Sequence, residues 1–364
     1  MAMPIRKYCN SLFIMKLPKY FNKNDRRQLF SEADLKLDRF QRQRVFKKDE
    51  LGVTGKNTIL KKLECVQTST DAKSNVYSLI DLIHIAENKE DLHILKRVTQ
   101  MICKSDINTI ENFSFGASLL RLYYYLGLPI EAYEMYKDPA CHEFLSDNTC
   151  HRILMDMLYC HKYYNETLDV FRGLKNFNID CVTLALASCY HINTEESFLK
   201  AHSIVKNNKE EHVFSRRALL FYSILCIRQN KPDQALQILT LVKENNLSKN
   251  IKLMALAKSG QGRQIMEVLE TIKDLSENVE MPLLCRIYSD TMTDLEQVLK
   301  EKLRPKEFAN FCFLQEDLSD RAVLSRQTVS NLLERIIPGN IEYWRRGGKQ
   351  KVIRDFSSVS AEAT

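Results

Sequence analysis

Residues 148–174 read NTCHRILMDMLYCHKYYNETLDVFRGL, and two consecutive helices are legible in them. His151, Leu154, Met155, Leu158 and Tyr159 fall at i, i+3, i+4, i+7 and i+8, which makes one apolar stripe on a helix. Thr167, Val170, Phe171 and Leu174 then form a second stripe, five residues and more beyond a turn at Lys162. The same frame returns with Gly or Asn at the turn. Gly127 precedes Ala132, with Met135 and Tyr136 following. Asn193 precedes Phe198, Ala201 and Val205. Asn230 precedes Ala235, Ile238, Leu239 and Val242, and Gly260 precedes Ile265, Val268, Leu269 and Ile272. The anchors recur at intervals of roughly 30 to 37 residues, the period of a helical-hairpin array. In such an array each unit buries one face against its neighbours, and the units together present a long concave surface for a partner. The spacing therefore predicts an all-α fold, a superhelix or solenoid of α-α hairpins.

Bulk properties agree. Of 364 residues 45% are apolar, enough to fold, while only 10 Gly and 8 Pro favour long helices over turn-rich sheets. No stretch shows period-2 alternation, so essentially no strand is expected. No run approaches the ~18 apolar residues of a membrane span. The 11 cysteines are odd in number and include no Cys-x-x-Cys; Cys160, Cys181, Cys189, Cys226 and Cys285 sit inside apolar helical stretches and read as reduced packing residues.

The net charge of +7 is unevenly placed. Residues 1–62 carry about +10 and residues 338–356 about +3, whereas the intervening body carries about −5. Within residues 1–24, Arg6, Lys7, Lys16, Lys19 and Lys23 alternate with Leu12, Phe13, Ile14, Met15 and Leu17 without an acid, a pattern expected of a mitochondrial presequence. Residues 25–74 follow as a basic segment and linker, amphipathic over 28–50, with Leu51–Thr58 expected as a loop because of Gly52 and Gly55. Repeats are expected over 75–275, an atypical helical cap over 276–338, and a basic, disordered tail over 339–364 around Trp344.

Catalytic signatures are missing. The stretch 52–58 is two residues short of a phosphate loop, and Asn57 stands where a metal-binding hydroxyl belongs. The pairs Cys141-His142, Cys150-His151 and Cys160-His161 suggest zinc, but on one helix Cys150 and Cys160 are separated by ~15 Å, too far for one tetrahedral site. The sequence predicts no cofactor, no metal and no enzymatic activity.

Ile153 to Leu158, with Leu168, Val170 and Phe171 after them, resembles the pentatricopeptide repeat; Leu174 takes the position of that repeat's methionine and Asp180 that of its closing aspartate. The resemblance implies a matrix protein of mitochondria that binds single-stranded RNA in mRNA processing, maturation or stabilisation, supporting respiratory-chain expression. Other RNA-processing or ribosomal proteins are the further partners it implies. Members that read bases do so from selector positions near the start of each first helix. The aligned residues are Gly116, Arg152, Thr183 and Leu220, of which only Thr183 suits hydrogen-bonded selection while Arg152 suits phosphate or stacking. Arg39, Arg42, Arg44, Lys47 and Lys48, interleaved with Phe40 and Phe46, read equally as a solvated helix face that needs no partner and as the densest phosphate contact. The competing function is a protein-interaction scaffold, which the same architecture supports and the acidic repeat body favours.

Overall fold

The computed structural model describes residues 29–103, 114–174, 178–207, 214–276 and 286–336. The presequence-like segment and the basic tail around Trp344 lie outside the described residues, as does Cys285.

The hairpins take shape around their turns. Gly127, Lys162, Asn193, Asn230 and Gly260, the five turn positions of the sequence frame, all adopt the left-handed conformation, with φ of 70°, 66°, 51°, 55° and 74°. A left-handed residue ends a helix and frees the next amide to reach back. Leu128, Tyr163, Lys231 and Gln261 donate their N–H groups to the carbonyls of Tyr123, Leu158, Cys226 and Leu256. Gly and Asn tolerate that backbone; Lys162 occupies it against its preference. The anchors five residues on are buried, Ala132, Thr167, Ala235 and Ile265 completely and Phe198 nearly so.

Helices α1 (Leu37–Glu64) and α2 (Ser69–Ser74) precede α3 (Val76–Ile85), which pairs with α4 (Lys89–Cys103). Then come the hairpins of α5 (Phe115–Leu126) with α6 (Pro129–Lys137) and, after the short α7 (Pro139–His142), of α8 (Asn148–Cys160) with α9 (Tyr164–Arg172). Three further hairpins pair α10 (Ile179–Ile192) with α11 (Glu195–Asn207), α12 (Arg216–Arg228) with α13 (Pro232–Leu239), and α14 (Asn246–Ser259) with α15 (Gly262–Ser276). The first helices stack in chain order, α1 on α3, then α5, α8, α10, α12 and α14.

The stack continues beyond residue 276. Helices α16 (Ser289–Lys302) and α17 (Pro305–Asp320) form one more hairpin, with α16 against α14 and α17 against α15. Lys273 and Asp317 pair across the latter contact at 2.8 Å, above a core of Leu269, Ile272, Leu295, Leu299, Phe311 and Leu318. Strand is as sparse as expected: among the described residues only β1 (Ile287–Tyr288) and β2 (Leu324–Ser325) form, paired in parallel. A strand of two residues is too short to leave an alternating signature. The expected loop at 51–58 is corrected as well. Those residues continue α1, broken only at Gly52, where φ is 57° and ψ −170°.

The central first helices α5, α10 and α12 are covered on every side. All residues from Phe115 to Tyr124 of α5, from Cys181 to Tyr190 of α10 and from Ala218 to Ile227 of α12 are buried. Neighbouring helices in a linear stack leave one flank of each first helix open. Here residues 29–36 and 329–333 close that flank. Residues 29–36 cross α5 and α8: the Leu35 carbonyl accepts from Arg121 Nε at 2.9 Å, and Phe30 lies 5.2 Å below the Arg152 guanidinium. At the other end, α18 (Val329–Leu333) lies against α12 and α14.

Candidate nucleic-acid interface

Helix α1 begins at Leu37 and turns Phe40 and Arg44 inward, leaving Arg39, Arg42 and Phe46 on its exposed side. Those three sit at i, i+3 and i+7, one stripe of the helix. Arg42 reaches Asp38 at 3.1 Å, an exposed pair of little net worth. Phe46 is 66% exposed, unusual for its type.

The rest of the expected basic cluster is engaged elsewhere. Arg44 is only 2% exposed; it donates to the carbonyls of Ile83 at 3.3 Å and Ala86 at 2.7 Å, and stacks 4.5 Å over the ring of Tyr125. Its expected phosphate role is therefore corrected: the guanidinium neutralises the carbonyl end of α3. Burial pulls its pKa below the ordinary arginine value, with Tyr125, Glu87 and Asp91 opposing. Lys47 pairs with Glu50 at 2.8 Å and Asp81 at 3.3 Å, and Lys48 pairs with Glu87.

The four selector-aligned positions are occupied by the fold. A Cβ on Gly116 would come within 2.6 Å of the Phe144 carbonyl oxygen and 3.0 Å of Cys150 Sγ, so Gly116 permits a close approach between α5 and the turn before α8. Thr183, 1% exposed, shares hydrogen bonds of 2.7 Å with the Ile179 carbonyl and the Ser215 hydroxyl. Its expected base-selecting role is corrected for this conformation, because its hydroxyl already has two partners. Leu220 is buried. Arg152 is half-buried, its Nε 3.0 Å from Asp180 and its plane over Phe30.

Beside it lies a polar cluster that spacing did not announce. Asp156 is fully buried and accepts from Tyr124 Oη at 2.8 Å. Burial pushes its pKa up to about 6, against the restraining effects of the Tyr124 hydroxyl, the Cys160 thiol, Arg152 and the Phe30 amide. One turn away, burial pushes His151 down to about 4, with Asp147 opposing and His142 adding to the shift. The two titrations oppose each other. Asp156, raised above its unfolded value, contributes stability below ~4 that is lost as pH rises through about 6. His151, depressed, contributes stability above ~6.5 that is lost as pH falls through about 4. Replacing Asp156 with Asn removes one slope, so thermal melts between pH 6.5 and 4 will fall with acidification by about 2–3 kcal/mol more than wild type. Parallel profiles would show that Asp156 ionises normally in the fold.

Cys150, Cys160, Cys181, Cys189 and Cys226 are buried packing residues, and the last three thiols are each pushed up to about 12, in each case chiefly by burial. Among the described residues no three His, Cys, Asp or Glu side chains gather as a metal would require. Nor is any described helix long and apolar enough to cross a membrane.

Stacked hairpins with left-handed turns and buried anchors define a helical-repeat protein of the α-α solenoid class. No family model matches the chain. It is 30% identical over 264 residues to the human mitochondrial pentatricopeptide repeat-containing protein 2, which covers 69% of this chain and 66% of that relative. The zebrafish (Danio rerio) protein of the same name is 28% identical over 72% of this chain and 68% of its own length. The orangutan (Pongo abelii) one is 34% identical over 45% of this chain and 44% of its own length. The chain thus spans about two thirds of two of these relatives and less than half of the third. It belongs to the pentatricopeptide repeat proteins, and the relatives it resembles are named as mitochondrial.

Proposed function

We propose that the chain is a non-catalytic RNA-binding factor of the mitochondrial matrix, acting in maturation or stabilisation of organellar mRNA and so in respiratory-chain expression. The observation that carries this reading is the Arg39–Arg42–Phe46 stripe, two cations beside an exposed ring on a helix leading into the array. Single-stranded RNA is held by phosphate contact and by stacking, neither of which depends on sequence. Base selection at Thr183 is unsupported because its hydroxyl is spent internally. RNA-processing or ribosomal proteins are further partners on this reading.

Two phosphate contacts predict that log K falls with log salt at a slope near −1.4, using about −0.7 per contact on a single strand. Changing Arg39 and Arg42 to Gln will flatten that slope, and changing Phe46 to Ala will weaken binding by about 1–3 kcal/mol whatever the sequence. Fluorescence anisotropy with unrelated labelled 20-mers measures both effects. A wild-type chain that binds no RNA at low salt would end this reading in favour of the scaffold, which the acidic repeat body and the exposed Leu199 and Phe313 support.

A further inference from the structure

Helix α18 ends on a cationic part of the repeat face. Arg217, near the start of α12, donates one nitrogen to the Leu332 carbonyl at 2.6 Å and also to that of Leu333. His191 Nε2 on α10 lies 3.8 Å from the Glu334 carboxylate, just past the end of α18. Between them, the Tyr190 hydroxyl meets Ser330 at 3.2 Å, with the Arg228 guanidinium 4.1 Å over the Tyr190 ring. A helix C-terminus carries partial negative charge on its last carbonyls, and here a carboxylate is added to it. Arg217 and His191 thus face two carbonyls and a carboxylate from this segment, acceptor oxygens of the kind a phosphate would offer.

We propose that α18 is an intramolecular stand-in for single-stranded RNA, a strap that covers a phosphate-contacting surface on α10 and α12 and exchanges with the ligand. The proposal rests on the RNA-binding reading above and adds to it where the array receives the strand and what withholds that surface. The strap is lightly held. It is five residues long, and the residues it buries are Val329 and Leu333, with its start capped by Asp290 Oδ2 accepting from the Val329 amide at 2.8 Å. Arg335 follows closely enough to oppose Arg217 electrostatically. Such a segment can leave while the hairpins beneath it stay folded.

The test uses the full chain and a labelled 20-mer of mixed sequence. Val329→Ser with Leu333→Ser loosens the strap without touching the cations. Affinity will rise about tenfold, the gain expected when a state populated one part in ten becomes dominant. Adding Arg217→Gln to that background will abolish the gain. Hydrogen exchange gives an independent readout: amides of 329–334, protected in the wild type, will exchange faster as RNA saturates. If the loosened chain exposes those amides yet binds RNA no better than wild type, the strap proposal is overturned while the RNA reading stands. If neither chain binds RNA at low salt, the RNA reading falls and takes the proposal with it. Should the double variant fail to fold, the wild type decides alone: protection of 329–334 unchanged at saturating RNA overturns the strap.

Discussion

Replacing Leu154 with Asp will destabilise the chain by about 4 kcal/mol or more, the largest effect expected of any single substitution considered for this molecule. Leu154 has no exposed surface and sits on α8, between α5, α9 and α10. Truncation of a buried leucine alone costs about 2–5 kcal/mol through lost burial and the cavity left behind. A carboxylate adds desolvation with no cation placed to receive it, since Arg152, two residues earlier, is already committed to Asp180. Denaturant melts followed by circular dichroism report the loss. A wild-type midpoint for the variant would mean that α8 does not pack as described and that the repeat frame is misplaced.

The second large effect is expected at Arg44, where stability and RNA binding will separate. Arg44→Gln removes two charge-assisted hydrogen bonds to the Ile83 and Ala86 carbonyls and the stacking on Tyr125. Carbonyls left without partners at a buried helix end cost about 1–3 kcal/mol each, so a loss near 3 kcal/mol is expected. The salt slope of RNA binding will stay at its wild-type value, because this guanidinium has no surface to offer a phosphate. Arg39 and Arg42 predict the reverse: an altered slope and an almost unchanged melt. A flattened slope in Arg44→Gln with no change in melting would return Arg44 to the interface.

These contrasts show where sequence reasoning reached its limit. Turns were legible because a left-handed residue is a local demand that Gly127, Asn193, Asn230 and Gly260 meet by their chemistry, and even Lys162 was found by its place in the frame. The anchors were legible for the same reason, five residues from a turn and always on the buried side. Arg44 was not, because its partners lie 39 and 42 residues away and its basic neighbours read as one surface cluster, solvated or in contact with phosphate. Gly52 and Gly55 suggested a loop together, yet only Gly52 takes a backbone that breaks the helix. The cationic set under α18 was hidden most deeply. Tyr190 and Arg217 meet the strap across 140 and 115 residues, and no local period links them to it. One signal was available: α10 and α12 are apolar almost all round, which a helix with an open flank cannot sustain.

The closure of that flank from both ends changes how the molecule comes apart. A linear array of repeats is a chain of nearest-neighbour contacts, and it frays from its ends one unit at a time. Here the Leu35 carbonyl is tied to Arg121, 86 residues on, and α18 is tied to Arg217 and Tyr190 across 115 and 140 residues. Each tie fastens a terminal segment to the middle of the stack, so central hairpins lose cover only when an end lets go. The first helices α10, α12 and α14 likewise stay incompletely wrapped until residues 329–333 have arrived. A chain threaded into a compartment from its N-terminus would therefore expose α10 and α12 until late, and would finish wrapping them only with α18 in place.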